Sequence, residues 1–123
     1  MTKIVEMDIR ASIFMQMEED IGPVILIERI KVDPEESDLF IKGWATETEK
    51  FKKQPGFIST QLHKGIGGSS TFITYAVWES AEHFKRAVNR VMDKQDRLAA
   101  FPPSTVASPH LFKKVAVPGI CVE

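Results

Sequence analysis

A single cysteine in 123 residues, Cys121, excludes an intrachain disulfide and any cage of thiolates around a metal. Three histidines, His63, His83 and His110, stand apart without HExxH or Cys/His spacing, so the chain carries no metal-ligand motif. Charge of one sign is lacking as well. Sixteen basic residues face 17 acidic ones, and the net charge of -1 supplies no field to recruit nucleic acid or an anionic membrane. No segment approaches the roughly 20 apolar residues of a membrane span. The opening residues, with Glu6, Asp8, Glu18, Glu19 and Asp20, hold no apolar run of signal-peptide length. The glycine loop from Gly65 to Gly68 lacks the Lys-Ser/Thr and following helix of a phosphate cradle. Together these absences point to a soluble protein of a reducing, cytoplasmic compartment, needing no metal or cofactor, with neither nucleic acid nor membrane as partner.

What is present is punctuation. VILIERIKV, residues 24–32, is a β-branched run between Gly22-Pro23 and Asp33-Pro34 and predicts a strand. Asp33 as N-cap, Pro34 at the first helical position and Glu36 completing a capping box predict a helix that ends near Gln54. Phe40, Trp44 and Phe51 recur on one side of it, while Lys42, Glu47, Glu49 and Lys50 occupy the other. After Pro55-Gly56, residues 57–64 and 71–79 alternate with period two across a glycine-rich connection, which predicts a hairpin. Ser80 caps a second helix bearing Phe84, Val88, Val91 and Leu98 on one face, and residues 111–117 are expected as the last strand.

Strand, helix, strand, strand, helix, strand is the order of an α+β, ferredoxin-like βαββαβ domain: a four-stranded antiparallel sheet, strands one and three central, with two helices on one face. That domain is expected over residues 24–123, with residues 1–23 as an N-terminal arm or extra edge strand. Two helices cover only one face, yet both faces are apolar. In the first strand Leu26, Ile30 and Val32 oppose Ile25 and Ile27; in the third Phe72, Ala76 and Trp78 oppose Ile73, Tyr75 and Val77. At about 25 cal/mol per Å² of apolar area, an uncovered sheet face forfeits many kcal/mol, which predicts a homodimer packed through sheet faces. The alternative is that residues 1–23 fold back over that face.

Glu28 interrupts the otherwise apolar series Val24, Leu26, Ile30, Val32. A carboxylate there must be paired, neutralised or hydrated in a pocket. Two readings stay open: a general base taking a proton from a phenolic or enolic substrate, or a structural ion pair. Trp78, Phe40, Trp44 and Phe84 are equally open between pocket wall and plain core.

Two stretches carry a family resemblance: QPGFISTQLHKG at residues 54–65 and YAVWESAEHFKRAV at residues 75–88, with SPHLFKKVAVPG at residues 108–119 agreeing in position. Through them residues 24–88 resemble the antibiotic biosynthesis monooxygenase domain. The resemblance implies a dimeric α+β barrel with a pocket between sheet and helices. It also implies activities that range from cofactor-independent oxygenation of quinol or polyketide aromatics to haem degradation, besides non-catalytic, ligand-binding or stress-associated roles. It further implies Trp78 beside the bound aromatic; with Glu28 taken from the strand pattern, the candidate catalytic residues are Glu28 and Trp78, with Phe40, Trp44, Thr74, Phe84 and Val88 around a small aromatic substrate. Two departures stand out. Haem-degrading members carry Asn in mid first strand and His late in the second helix, whereas this chain has Glu28 and no His in residues 92–101. Aromatic-polyketide members have Asn where Thr74 stands.

Overall fold

The computed structural model describes residues 3–92 and 101–122. In chain order its elements are β1 (Lys3–Ile4), α1 (Ile13–Gln16), β2 (Val24–Lys31), α2 (Ser37–Lys52), β3 (Phe57–Lys64), β4 (Thr71–Trp78), α3 (Ala81–Val91) and β5 (Val106–Phe112). The sheet runs β1-β5-β2-β4-β3, with β2 and β4 central as expected. It has five strands rather than four, and it is mixed, because β1 adds to β5 in parallel while the other pairs are antiparallel. The α+β ferredoxin-like plan is otherwise the one the sequence pattern predicts.

The last strand lies earlier than residues 111–117, and the sheet edge shows why. Leu111 turns its N–H and C=O away from β2, where the Gln16 side-chain amide meets both at 2.9 Å. Thr105 and Ala107, of the same parity, offer their outward carbonyls to Lys3 and Val5. Pro109 falls between Ala107 and Leu111 in that outward set, so its missing N–H costs no bond to β2. The edge is thus covered along its length by β1, a proline and one glutamine, which is how sheets avoid edge-to-edge association.

Entry into α2 also departs from a simple capping box. Pro34–Glu36 forms a single 3-10 turn, and the Asp33 side chain caps nothing. Instead the Asp33 N–H donates to Ser104 Oγ (3.0 Å), and the Ser104 hydroxyl donates to Glu36 Oε1 (2.5 Å). A hydroxyl from the loop before β5 is inserted between the two members of the box, tying that loop to the helix start. Ser80 does cap α3, accepting from the His83 N–H at 3.0 Å. Leu98 lies outside the described residues.

Along β4, Phe72, Thr74, Ala76 and Trp78 are buried beneath the helices. They belong to two clusters. Trp78 packs with Val24, Ala76, Phe84, Ala87, Leu111 and the α1 residue Ile13. Phe40 and Phe72 pack with Ile30, Val32 and Ala107. Each such large apolar side chain contributes about 1.5–3 kcal/mol on burial. On the opposite sheet face Ile25, Ile27, Ile73, Tyr75 and Val77 are only half-buried. Among the described residues no helix is long and apolar enough to cross a membrane.

Candidate functional site

The antiparallel register of β2 and β4 sets Glu28 directly opposite Thr74, both on the helix-facing side. Above them α2 presents Phe40, Trp44, Glu47 and Thr48, positions i, i+4, i+7 and i+8 of one helical stripe. These six residues, with Ile4, Ile30, Met92, Phe101, Thr105 and Ala107, line a cavity of about 140 Å³ between sheet and helix. The Trp44 indole N–H donates to Thr74 Oγ1 at 3.0 Å, a bond that pins the helix wall to the sheet floor. Phe40, 1% exposed, is held against Phe72 at 4.8 Å and Phe101 at 5.7 Å between ring centroids. The cavity therefore has two fixed aromatic walls.

Trp78 lies on the same face but elsewhere. Its register partner is Val24, four strand residues from Glu28, or about 13 Å along the sheet. Its ring is 2% exposed and meets the edges of Phe57, Phe84 and Phe51 at 5.4, 5.7 and 6.2 Å. Trp78 and Phe84 line a second, smaller cavity of about 60 Å³, and Thr48 borders both spaces. Val88 packs against the Trp78 cluster and lines neither cavity. The structure thus brings Glu28, Thr74, Phe40 and Trp44 together and sets Trp78, Phe84 and Val88 apart from them.

Two polar residues of the larger cavity escaped the sequence argument. Glu47, assigned by its charge to the solvent side of α2, is 8% exposed and faces inward, with Lys50 Nζ at 3.9 Å. Its spacing of seven from Phe40 was the available signal, and spacing outweighs residue type when a helix face is decided. Thr105, in the turn before β5, is 2% exposed and carries no periodic signal at all. Glu28 and Glu47 are each engaged by an interaction within the protein. Among the described residues no group of three His, Cys, Asp or Glu side chains could hold a metal ion.

Comparison with known proteins agrees with the fold. The family model for antibiotic biosynthesis monooxygenase matches residues 23–92, more than half of the chain. Among solved structures, a candidate monooxygenase from Shewanella loihica PV-4 superposes with a TM-score of 0.64 at 24% identity, over 80% of this chain and 99% of that one. SnoaB, a cofactor-independent oxygenase from Streptomyces nogalater, gives 0.66 at 20% identity, over 80% and 99%. A variant of MhuD with two manganese protoporphyrin IX molecules bound per active site gives 0.64 at 26% identity, over 79% and 99%. No protein of curated function matches the sequence.

Proposed function

Since the chain belongs to the antibiotic biosynthesis monooxygenase family, we propose that it is a cofactor-independent monooxygenase of a small aromatic, quinol-type substrate held in the Glu28 cavity. The observation that carries this reading is a carboxylate on the otherwise apolar helix-facing side of a central strand, at a cavity walled by Phe40 and Trp44. Glu28 takes the phenolic proton, which makes the ring electron-rich enough to react with dioxygen. For a hydroquinone the balance is quinol plus dioxygen to hydroxyquinone plus water. One oxygen atom enters the ring, the other leaves as water, and the ring supplies all four electrons. The aromatic walls exclude bulk water from the anion.

The working form in this reading is a cytoplasmic homodimer. Ile25, Ile27, Ile73, Tyr75 and Val77 supply its apolar sheet-to-sheet contact, and its mass in solution should be twice the 13.9 kDa of one chain. Oxygen uptake with a quinol panel tests the chemistry: Glu28→Gln keeps the shape and removes the base, so turnover should fall by about 10²–10⁴-fold. Unchanged turnover would remove Glu28 from the mechanism. The tight packing of Trp78 among Phe51, Phe57 and Phe84 favours a second reading, a dimer that binds an aromatic ligand without transforming it. Ligand binding without oxygen uptake by the intact protein would select it.

A further inference from the structure

The Thr105 side chain stands in an unusual position for a hydroxyl. It is 2% exposed, its Oγ1 has no hydrogen-bond partner among the described residues, and it lines the same cavity as Glu28 and Trp44. Buried hydroxyls are ordinarily satisfied, so one left without a partner on a residue that borders a cavity marks a place where a ligand could supply the bond after a turn of the side chain. Its backbone is clamped on both sides: the Thr105 N–H donates to the Pro102 carbonyl at 3.1 Å, and its own carbonyl accepts from the Lys3 N–H at 2.9 Å. Only the side-chain torsion and the hydroxyl rotor remain free. The other threonine hydroxyl at the cavity floor, Thr74, is already committed to the Trp44 indole.

Position and size narrow what could bind. Pro109 is the register partner of Glu28 on β5, and Thr105 precedes it by four residues, which separates Thr105 from Glu28 by roughly 13 Å along the sheet. The two polar groups therefore mark opposite ends of the cavity. Its volume of about 140 Å³ is close to the roughly 150 Å³ of an engineered apolar cavity that accommodates benzene. It is well short of the roughly 300 Å³ at which pockets for larger ligands begin.

We infer that Thr105 Oγ1 anchors the far hydroxyl of a single-ring para-dihydroxybenzene whose near hydroxyl is directed to Glu28, so that the site selects one-ring quinols over monophenols and fused-ring quinols. The inference rests on the Glu28 cavity being the ligand site. Thr105 is a binding and specificity residue in this arrangement. Thr105→Val retains its shape and deletes its hydrogen bond, whereas Thr105→Ser keeps the hydroxyl.

Anaerobic calorimetric titration of the full-length protein with hydroquinone, phenol and 1,4-naphthohydroquinone tests it. The native protein should bind hydroquinone about tenfold more tightly than phenol, the worth of one hydrogen bond to a neutral partner. Thr105→Val should bind the two alike, and Thr105→Ser should restore the preference. The melting temperature of unliganded Thr105→Val should not fall, because the hydroxyl it deletes is unpartnered. Equal binding of hydroquinone and phenol by the native protein, or a preference that survives Thr105→Val, would overturn the role of Thr105 while leaving the cavity as the ligand site. Tighter binding of the naphthohydroquinone would overturn the single-ring selection alone. If none of the three binds, the ligand-site reading of the cavity falls, and the inference with it.

Discussion

Replacing Thr74 by valine isolates the bond that holds the cavity together. Valine matches threonine in shape, so the change removes the acceptor of the Trp44 N–H and little else. Thr74 is 6% exposed, and the indole N–H is left without its protein acceptor. An unsatisfied buried donor costs about 1–3 kcal/mol, so Thr74→Val should destabilise the protein by about 2 kcal/mol. In a Trp44→Phe background the donor is already gone, and the same substitution should be nearly neutral, since it then replaces an unpaired hydroxyl with a methyl group. The coupling in the double-mutant cycle should therefore approach about 2 kcal/mol. Urea denaturation of the four proteins at one fixed concentration measures it, and Trp78 remains as a fluorophore in all of them. With a denaturant slope of about 1–3 kcal/mol per molar, Thr74→Val should lower the midpoint by about 1 M in the native background. The same loss in both backgrounds would refute the claim that this hydrogen bond joins α2 to the sheet.

Two further substitutions probe how the frame is held. Gln16→Ala strips both hydrogen bonds from the outward N–H and C=O of Leu111. It should cost about 2 kcal/mol by chemical denaturation, and hydrogen exchange should quicken at the Leu111 amide. An unchanged rate there would show that the glutamine does not guard the edge. Gly56 has φ +88° and lies where an added Cβ would come within 2.4 Å of the His83 ring. Gly56→Ala should therefore destabilise by about 1–3 kcal/mol from backbone strain alone, a loss that thermal melting would register.

The parts of the fold that could be read in advance are those with local causes. β2 was legible because Gly22-Pro23 and Asp33-Pro34 bracket a β-branched run, and the hairpin of β3 and β4 because two alternating segments flank glycines; Gly67 and Gly68 adopt the positive φ such a connection needs. β5 was displaced because residues 111–117 are the more apolar stretch, whereas the strand that forms contains Pro109 and His110. Its position is decided by register against β2 and by parity at the outer edge, neither of which is local. The Ser104 hydroxyl inserted between Asp33 and Glu36 is likewise supplied from about 70 residues away.

The candidate site divides along the same line. Glu28 was visible as a break in an apolar series, and Phe40 with Trp44 as a helical stripe. That Trp78 shares their sheet face was also visible. Its separation from Glu28 follows only from strand register, which pairs Glu28 with Thr74 and Trp78 with Val24. Thr105 was beyond reach, because a threonine in a turn announces nothing until the walls around it are in place.

The most direct test of the whole account is a crystal structure of the protein grown anaerobically with hydroquinone. Density for the ring between Phe40 and Trp44, with one hydroxyl at Glu28, would establish that the cavity over β2 and β4 is the working site. A ring bound instead against Trp78 and Phe84, with the Glu28 cavity empty, would contradict it.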